Sequence, residues 1–273
     1  MKNKKSSYSK TIDFVNHKTG LYNEDIFSKD WDNAQTSRGE APRGILEGRS
    51  RIVKINNEKV LQLTIPKNTI SDGGFFWRLN LPKGLEDVTF EYDIMFGKHF
   101  NFVRGGKLPG LAGGTAPGGG SKEKNGFSAR LMWRAATSYE ELCHLVKDLK
   151  LSNKRDINKP YLVQYTYYPD KQTRKWGKDF VYVYKNKKIF LKPSKWYNLK
   201  MQIKLANDSK KKDAIISWVN GKEVLNEKLK LRKNKNYGVD QVMFSLFFGG
   251  NESSWATKKK ENVYFRRFVI KGE

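Results

Sequence analysis

The chain has 273 residues, with 53 Lys and Arg against 28 Asp and Glu, and its formal net charge of +25 points to a polyanionic partner. Hydrophobic residues make up 38%, and 7 Trp, 13 Tyr and 16 Phe exclude a disordered polycation and supply a sizeable core. No stretch reaches the length of an apolar membrane span, the single Cys143 excludes a disulfide framework or cysteine-based zinc site, and His17, His99 and His144 lack metal-ligand spacing.

Residues 1–10 have the basic start of a signal peptide but no apolar run after it, and read as a disordered tail ahead of a single domain over residues 11–273. Alternation with period two, broken at intervals of roughly ten residues by turn chemistry, predicts an all-β sandwich of antiparallel strands. A first hairpin pairs 52–55 with 60–65 around Asn56-Asn57-Glu58-Lys59. Phe90, Tyr92, Ile94 and Phe96 then alternate with polar residues. Residues 105–126 hold nine of the 23 glycines plus Pro109 and Pro117, which predicts a long irregular loop, at that length a functional one. After a strand over 126–134, residues 138–151 place Leu142, Leu145, Val146 and Leu149 at helical spacing, with Ser138 and Glu141 in capping-box positions. This is the one predicted helix, inserted before a strand over 161–168. Further hairpins join 180–184 to 189–191 and 215–219 to 223–225, the latter around Asn220-Gly221, a strong two-residue turn signal. Strands over 199–205, 242–248 and 263–270 complete the chain.

The informative stretches are Gly105-Gly-Lys-Leu-Pro-Gly-Leu111, Phe127-Ser-Ala-Arg-Leu-Met-Trp-Arg134 and Tyr165-Thr-Tyr167. In the second, Phe127, Ala129, Leu131 and Trp133 form an apolar face, while Ser128, Arg130, Met132 and Arg134 form the other. In the third, Tyr161, Val163, Tyr165 and Tyr167 share a face. If the two strands are neighbours, Ser128, Arg130, Tyr165 and Tyr167 line one concave surface, with Lys107 brought over it by the glycine loop, as a cationic, phenol-rich groove. Trp77, Arg78, Arg104, Arg134 and Trp176 are candidates to extend it as sugar platforms and carboxylate partners. His144 reads as structural or exposed.

These blocks resemble the signature of polysaccharide lyase family 14, the alginate and glucuronan lyases. Lys195-Trp-Tyr-Asn-Leu-Lys-Met201 and Trp218-Val-Asn-Gly-Lys222 resemble stretches of concanavalin-like jelly rolls. The resemblance implies a β-jelly roll of two antiparallel sheets with one short helical insertion. It also implies β-elimination on a uronic acid polymer, without metal or cofactor: the C6 carboxylate is neutralised, the C5 proton abstracted and the departing O4 protonated. Carried over, the catalytic residues are Lys107, Tyr165 and Tyr167. Ser128 and Arg130 bind the carboxylate, Gly120 and Asn125 supply polar groups on the preceding loop, and Arg134 and His99 join the substrate-binding set. Nearby cations would lower a tyrosine pKa, so a phenol serves as base and then acid, with Lys107 an alternative base.

A non-catalytic jelly roll binding anionic polysaccharide is the alternative, disfavoured because a binding module has no need of a lysine and paired phenols. Nucleic-acid binding is disfavoured because the lysines are scattered and no nucleic-acid motif is present. The expectation is a monomer that acts extracellularly on cell-wall or matrix polymer, with no membrane partner; the export route stays open, viral or lytic release being one that would suit the chain.

Overall fold

The structure is a computed structural model that describes residues 7–36, 38–146, 149–170, 175–208 and 210–273. Period-two strands assemble into two antiparallel sheets. The larger contains β1 (Tyr8–Asp13), β2 (Gly20–Leu21), β3 (Ser50–Ile55), β4 (Glu58–Ile65), β6 (Asp87–Phe96), β13 (Trp196–Lys204), β14 (Asp213–Val219), β15 (Lys222–Leu229) and β17 (Glu261–Gly272). Its order is β15-β14-β13-β6-β17-β4-β3-β2, with β1 paired to the second half of β17. The smaller contains β5 (Phe75–Asn80), β7 (Gly105–Gly114), β8 (Gly126–Arg134), β9 (Tyr161–Tyr167), β10 (Lys178–Val181) and β16 (Gln241–Phe248), in the order β10-β9-β8-β7-β16-β5. A ribbon of β11 (Val183–Tyr184) and β12 (Lys187–Lys188) follows β10.

The inward faces interdigitate as the alternation predicts. Phe90, Tyr92, Ile94 and Phe96 of β6 and Leu199, Met201 and Ile203 of β13 share one core with Phe127, Leu131 and Trp133 of β8 and Phe244, Leu246 and Phe248 of β16. Each such side chain contributes about 1.5–3 kcal/mol on burial. Trp77 belongs to this core, stacked on Phe244 with ring centroids 3.5 Å apart, and is not the groove platform expected of it. The Asn56-Asn57 and Asn220-Gly221 turns have positive φ at both positions, so their twist matches that of the strands they join.

Four expectations change. Tyr8–Asp13 is a strand against Arg267–Gly272, so order begins inside the expected tail; residues 1–6 lie outside the described residues. The glycine-rich segment is not a loop over its whole length, because Gly105–Gly114 forms a central strand of the smaller sheet. The predicted helix is shorter: α3 covers Tyr139–Leu145, capped by the Ser138 hydroxyl accepting from Glu141 N, and a 3-10 turn spans Leu149–Leu151, with residues 147–148 outside the described set. Two short helices were not predicted, α1 (Glu24–Asp30) and α2 (Arg43–Leu46). Along α1 only Phe27 is buried, too little to give an apolar stripe.

Candidate active site

The face of the smaller sheet turned away from the core carries the polar residues. In one cross-strand row stand Arg78 (β5), Met243 (β16), Gly110 (β7), Arg130 (β8), Tyr165 (β9) and Asp179 (β10). In a second stand Phe247, Lys107, Met132, Val163 and Val181. Over part of these rows opens a cleft of about 1250 Å³, lined among others by Lys107, Arg130, Met132, Arg134, Tyr165 and Tyr167.

Lys107 reaches the cleft because β7 is bulged. Its register slips between Lys107 and Gly110 against β8, and between Phe247 and Met243 against β16. Leu108 and Leu111 therefore both enter the core although three residues apart, while Lys107 faces out. Pro109 is tolerated at this irregularity, where its missing N–H breaks no ladder bond. The glycines let strands close up around it. A Cβ on Gly110 would lie 2.1 Å from Ala129 O, and one on Gly106 2.1 Å from the Trp133 ring.

Lys107 is 9% exposed. Its amine donates to Met132 Sδ at 2.8 Å and lies 3.5 Å from the centroid of the Tyr165 ring. Neither neighbour is a carboxylate, and a thioether is a weak acceptor. Burial pushes the lysine pKa well below its ordinary value; Arg134 and Arg130 push the same way, and Asp179 opposes them.

Tyr165 and Tyr167 are both buried, with their hydroxyls 3.2 Å apart. Gly177 N donates to Tyr165 Oη at 3.0 Å and Gly120 N donates to Tyr167 Oη at 3.1 Å. Two loops are thus anchored on the phenols, one from the 115–125 connection and one ahead of β10. Burial, reinforced by Tyr167, raises the Tyr165 pKa above that of an ordinary phenol. The expected lowering of this tyrosine by the cations does not occur, because desolvation outweighs them.

Arg130 donates through Nη1 to Ser245 Oγ at 3.4 Å, and its Nε has no hydrogen-bond partner among the described residues. A buried guanidinium with unspent donors is equipped to take a carboxylate. Arg134 is already engaged, donating through Nε to Asp179 Oδ2 at 2.9 Å and through Nη2 to Asp179 Oδ1 at 3.2 Å. Burial acts to lower the Arg134 pKa, but Asp179 outweighs it and the net shift is upward.

Among the expected site residues, Lys107, Arg130, Arg134, Tyr165 and Tyr167 come together. Gly120 joins them through its backbone N–H. Ser128 is fully buried and donates to Pro117 O at 2.6 Å, so it holds the 115–125 loop instead of facing substrate. Asn125 is an exposed residue whose carbonyl accepts from Thr115 N, and it does not line the cleft. His99 sits exposed in a turn where its carbonyl accepts from Lys259, also outside the cleft. Arg104 is spent on Glu141 at 2.7 Å and pins α3. Trp176 lines the cleft, whereas Arg78 lies in the first row but beyond the lining. Met132, Asp179, His144 and Trp255 also line it and were not expected. Of these, Met132 was legible, since period two puts it on the face of Arg130. Among the described residues, no group of three or more His, Cys, Asp or Glu is placed to hold a metal ion.

No curated protein matches the chain. Among solved structures, alginate lyase Aly36B superposes with a TM-score of 0.76 at 23% identity, over 96% of each chain. The marine PL-14 alginate lyase from Aplysia kurodai gives 0.68 at 21%, covering 95% of this chain and 97% of that one. Alginate lyase vAL-1 from Chlorella virus gives 0.60 at 21%, covering 82% and 89%. These likenesses show the two-sheet jelly-roll fold. The polysaccharide lyase 14 model matches residues 54–268, which include every strand of the smaller sheet that carries the cleft, and the chain therefore belongs to the polysaccharide lyase 14 family.

Proposed function

We propose that the cleft cleaves a polyuronate by β-elimination, with Lys107 as base, Tyr165 as acid and Arg130 as the carboxylate anchor. The observation that carries this reading is the Lys107 amine, buried against the Tyr165 ring with a thioether as its hydrogen-bond partner. A discharged amine accepts a proton, and a phenol kept protonated by burial donates one. Arg130 neutralises the C6 carboxylate, which acidifies C5–H and stabilises the enolate-like charge. Lys107 removes the C5 proton, the C–H electrons form the C4–C5 double bond, the C4–O4 bond breaks and O4 takes the proton of Tyr165. The ammonium and phenolate left behind cancel by proton return.

Family membership supports a polysaccharide substrate, and the similar structures named as alginate lyases make alginate the first polymer to test, with polyglucuronate beside it. A polymer of this kind lies outside cells, so the proposal carries an extracellular site of action. The test is to incubate the enzyme with each polymer and follow the ultraviolet absorbance of the unsaturated uronate end. A rise that Lys107→Ala abolishes is the expected result; no rise with any polyuronate overturns the reading.

A further inference from the structure

Three basic side chains surround the Tyr165 ring: Lys107 Nζ at 3.5 Å, Arg134 Cζ at 5.7 Å and Arg130 Cζ at 5.9 Å from its centroid. The carboxylate beside them is Asp179, opposite Tyr165 on β10, and both of its oxygens are held by Arg134. The side chains of Arg134 and Asp179 are only 12% and 10% exposed. Arg134 is also packed over Trp255, 5.7 Å from that ring, so its guanidinium is held by both a carboxylate and a ring. In such a site an uncompensated charge is costly, and of the three bases only the amine can discharge. A bound uronate brings a second carboxylate, which Arg130 takes. Two guanidinium groups then face two carboxylates, and Lys107 stands outside the balance as a free amine.

We propose that Arg134 and Asp179 form a positioning pair for the elimination, not a substrate subsite: the pair fixes a positive charge against Lys107 and keeps its amine a proton acceptor. This rests on the reading of Lys107 as base. The other titratable or charged groups facing the amine are Arg130 from β8 and Tyr165 and Tyr167 from β9. At the cleft margin are His144 from α3, Lys175 and Lys178 before and on β10, and Glu227 from β15. Burial is the largest influence on Lys107, Arg134 comes next and Asp179 opposes it.

The two partners therefore act on the lysine with opposite signs, which makes the pair testable through the acid limb of kcat/KM against pH. Arg134→Gln removes the positive charge and leaves Asp179 uncompensated. The limb should move to higher pH by about one unit, a tenfold loss of kcat/KM on the acid side. Asp179→Asn keeps an acceptor oxygen for Arg134 and removes the negative charge, so the limb should move to lower pH. Arg134→Lys, which retains the charge, should return the limb towards its original position, and thermal unfolding of each variant reports folding. If Arg134→Gln does not fold, the downward shift in Asp179→Asn decides alone. Limbs that stay in place or move in the same direction overturn the proposal, as does a rise in KM for short oligouronates with the limb unmoved, which would make Arg134 a substrate ligand. Rescue of Lys107→Ala by small primary amines tests the base separately. Rescue with an unmoved limb in Asp179→Asn removes only the pair's role, whereas absence of rescue removes the base assignment.

Discussion

Lys107 Nζ lies 3.5 Å from the centroid of the Tyr165 ring, so the proposed base and acid form one packed unit contributed by β7 and β9, the two strands that flank β8. Their burial displaces both from ordinary behaviour in useful directions. The amine is driven towards its neutral form and the phenol is held in its protonated form.

The roles separate by substitution. Lys107→Ala and Lys107→Arg should each lower kcat by about 10²–10⁴-fold. Arginine fails as a replacement because a guanidinium does not discharge near neutrality. Binding of an oligouronate to either variant should persist, since Arg130 still offers its unspent donors. Calorimetric titration of the inactive variant reads this directly, and loss of binding parallel to loss of turnover would contradict the assignment.

Tyr165→Phe should produce a comparable fall in kcat, because the departing O4 loses its proton donor. Tyr167→Phe should cost less, since Tyr167 meets the reaction through its hydrogen bond to Tyr165 and through the Gly120 loop. Steady-state rates on one polymer give the order of the two, and a larger loss in Tyr167→Phe would exchange their roles.

The pH profile follows from the two shifts. Activity requires Lys107 deprotonated and Tyr165 protonated. It should therefore rise as pH climbs through a lysine pKa lying well below the ordinary lysine range, and fall only as pH passes a tyrosine pKa lying above the ordinary phenol range. The broad plateau between them is visible in kcat/KM measured across pH at constant ionic strength. The opposite assignment, with a phenolate base beside an ammonium, requires a lowered tyrosine pKa.

Much of this arrangement can be read from the sequence, and the parts that cannot have physical causes. Ser128, Arg130, Met132 and Arg134 share a face because strand periodicity admits no other outcome, and Phe127, Ala129, Leu131 and Trp133 fill the core as that pattern requires. The orientation of Lys107 depends on a bulge, which breaks the same periodicity. The glycines of 105–114 resemble loop composition, yet Gly106 and Gly110 are there because the Trp133 ring and the Ala129 backbone, respectively, leave no room for a Cβ. Asp179 reaches Arg134 across β9 through a pairing that no local pattern announces. The tyrosine shift was expected with the wrong sign because charges are visible in a sequence and burial is not.

Gly110→Ala tests the packing account of that segment. The added methyl would meet the Ala129 carbonyl and Arg130 Cα, which are backbone and cannot swing aside. The β7–β8 pairing must open beside Arg130, and destabilisation of at least about 1–3 kcal/mol is expected, with activity lost. Thermal unfolding against the parent checks it; an unchanged midpoint would mean that β7 is not held as closely as described.

Charge far from the cleft should act only on capture. With a net charge of +25, the protein attracts a polyuronate over a range set by screening, about 10 Å at 0.1 M salt. Raising salt should therefore weaken substrate capture, seen as higher KM and lower kcat/KM, while kcat at saturating polymer changes little. The buried chemistry explains the split, because Lys107, Arg130 and Tyr165 are each at least nine-tenths inaccessible to solvent and poorly reached by counterions. Replacing surface lysines should reproduce the effect of salt in proportion to the charge removed, whereas replacing Arg130 should abolish turnover with almost all of the charge in place. Initial rates over a salt series, with and without these substitutions, measure the separation, and a kcat that falls in step with kcat/KM would place the surface charge in the chemical step.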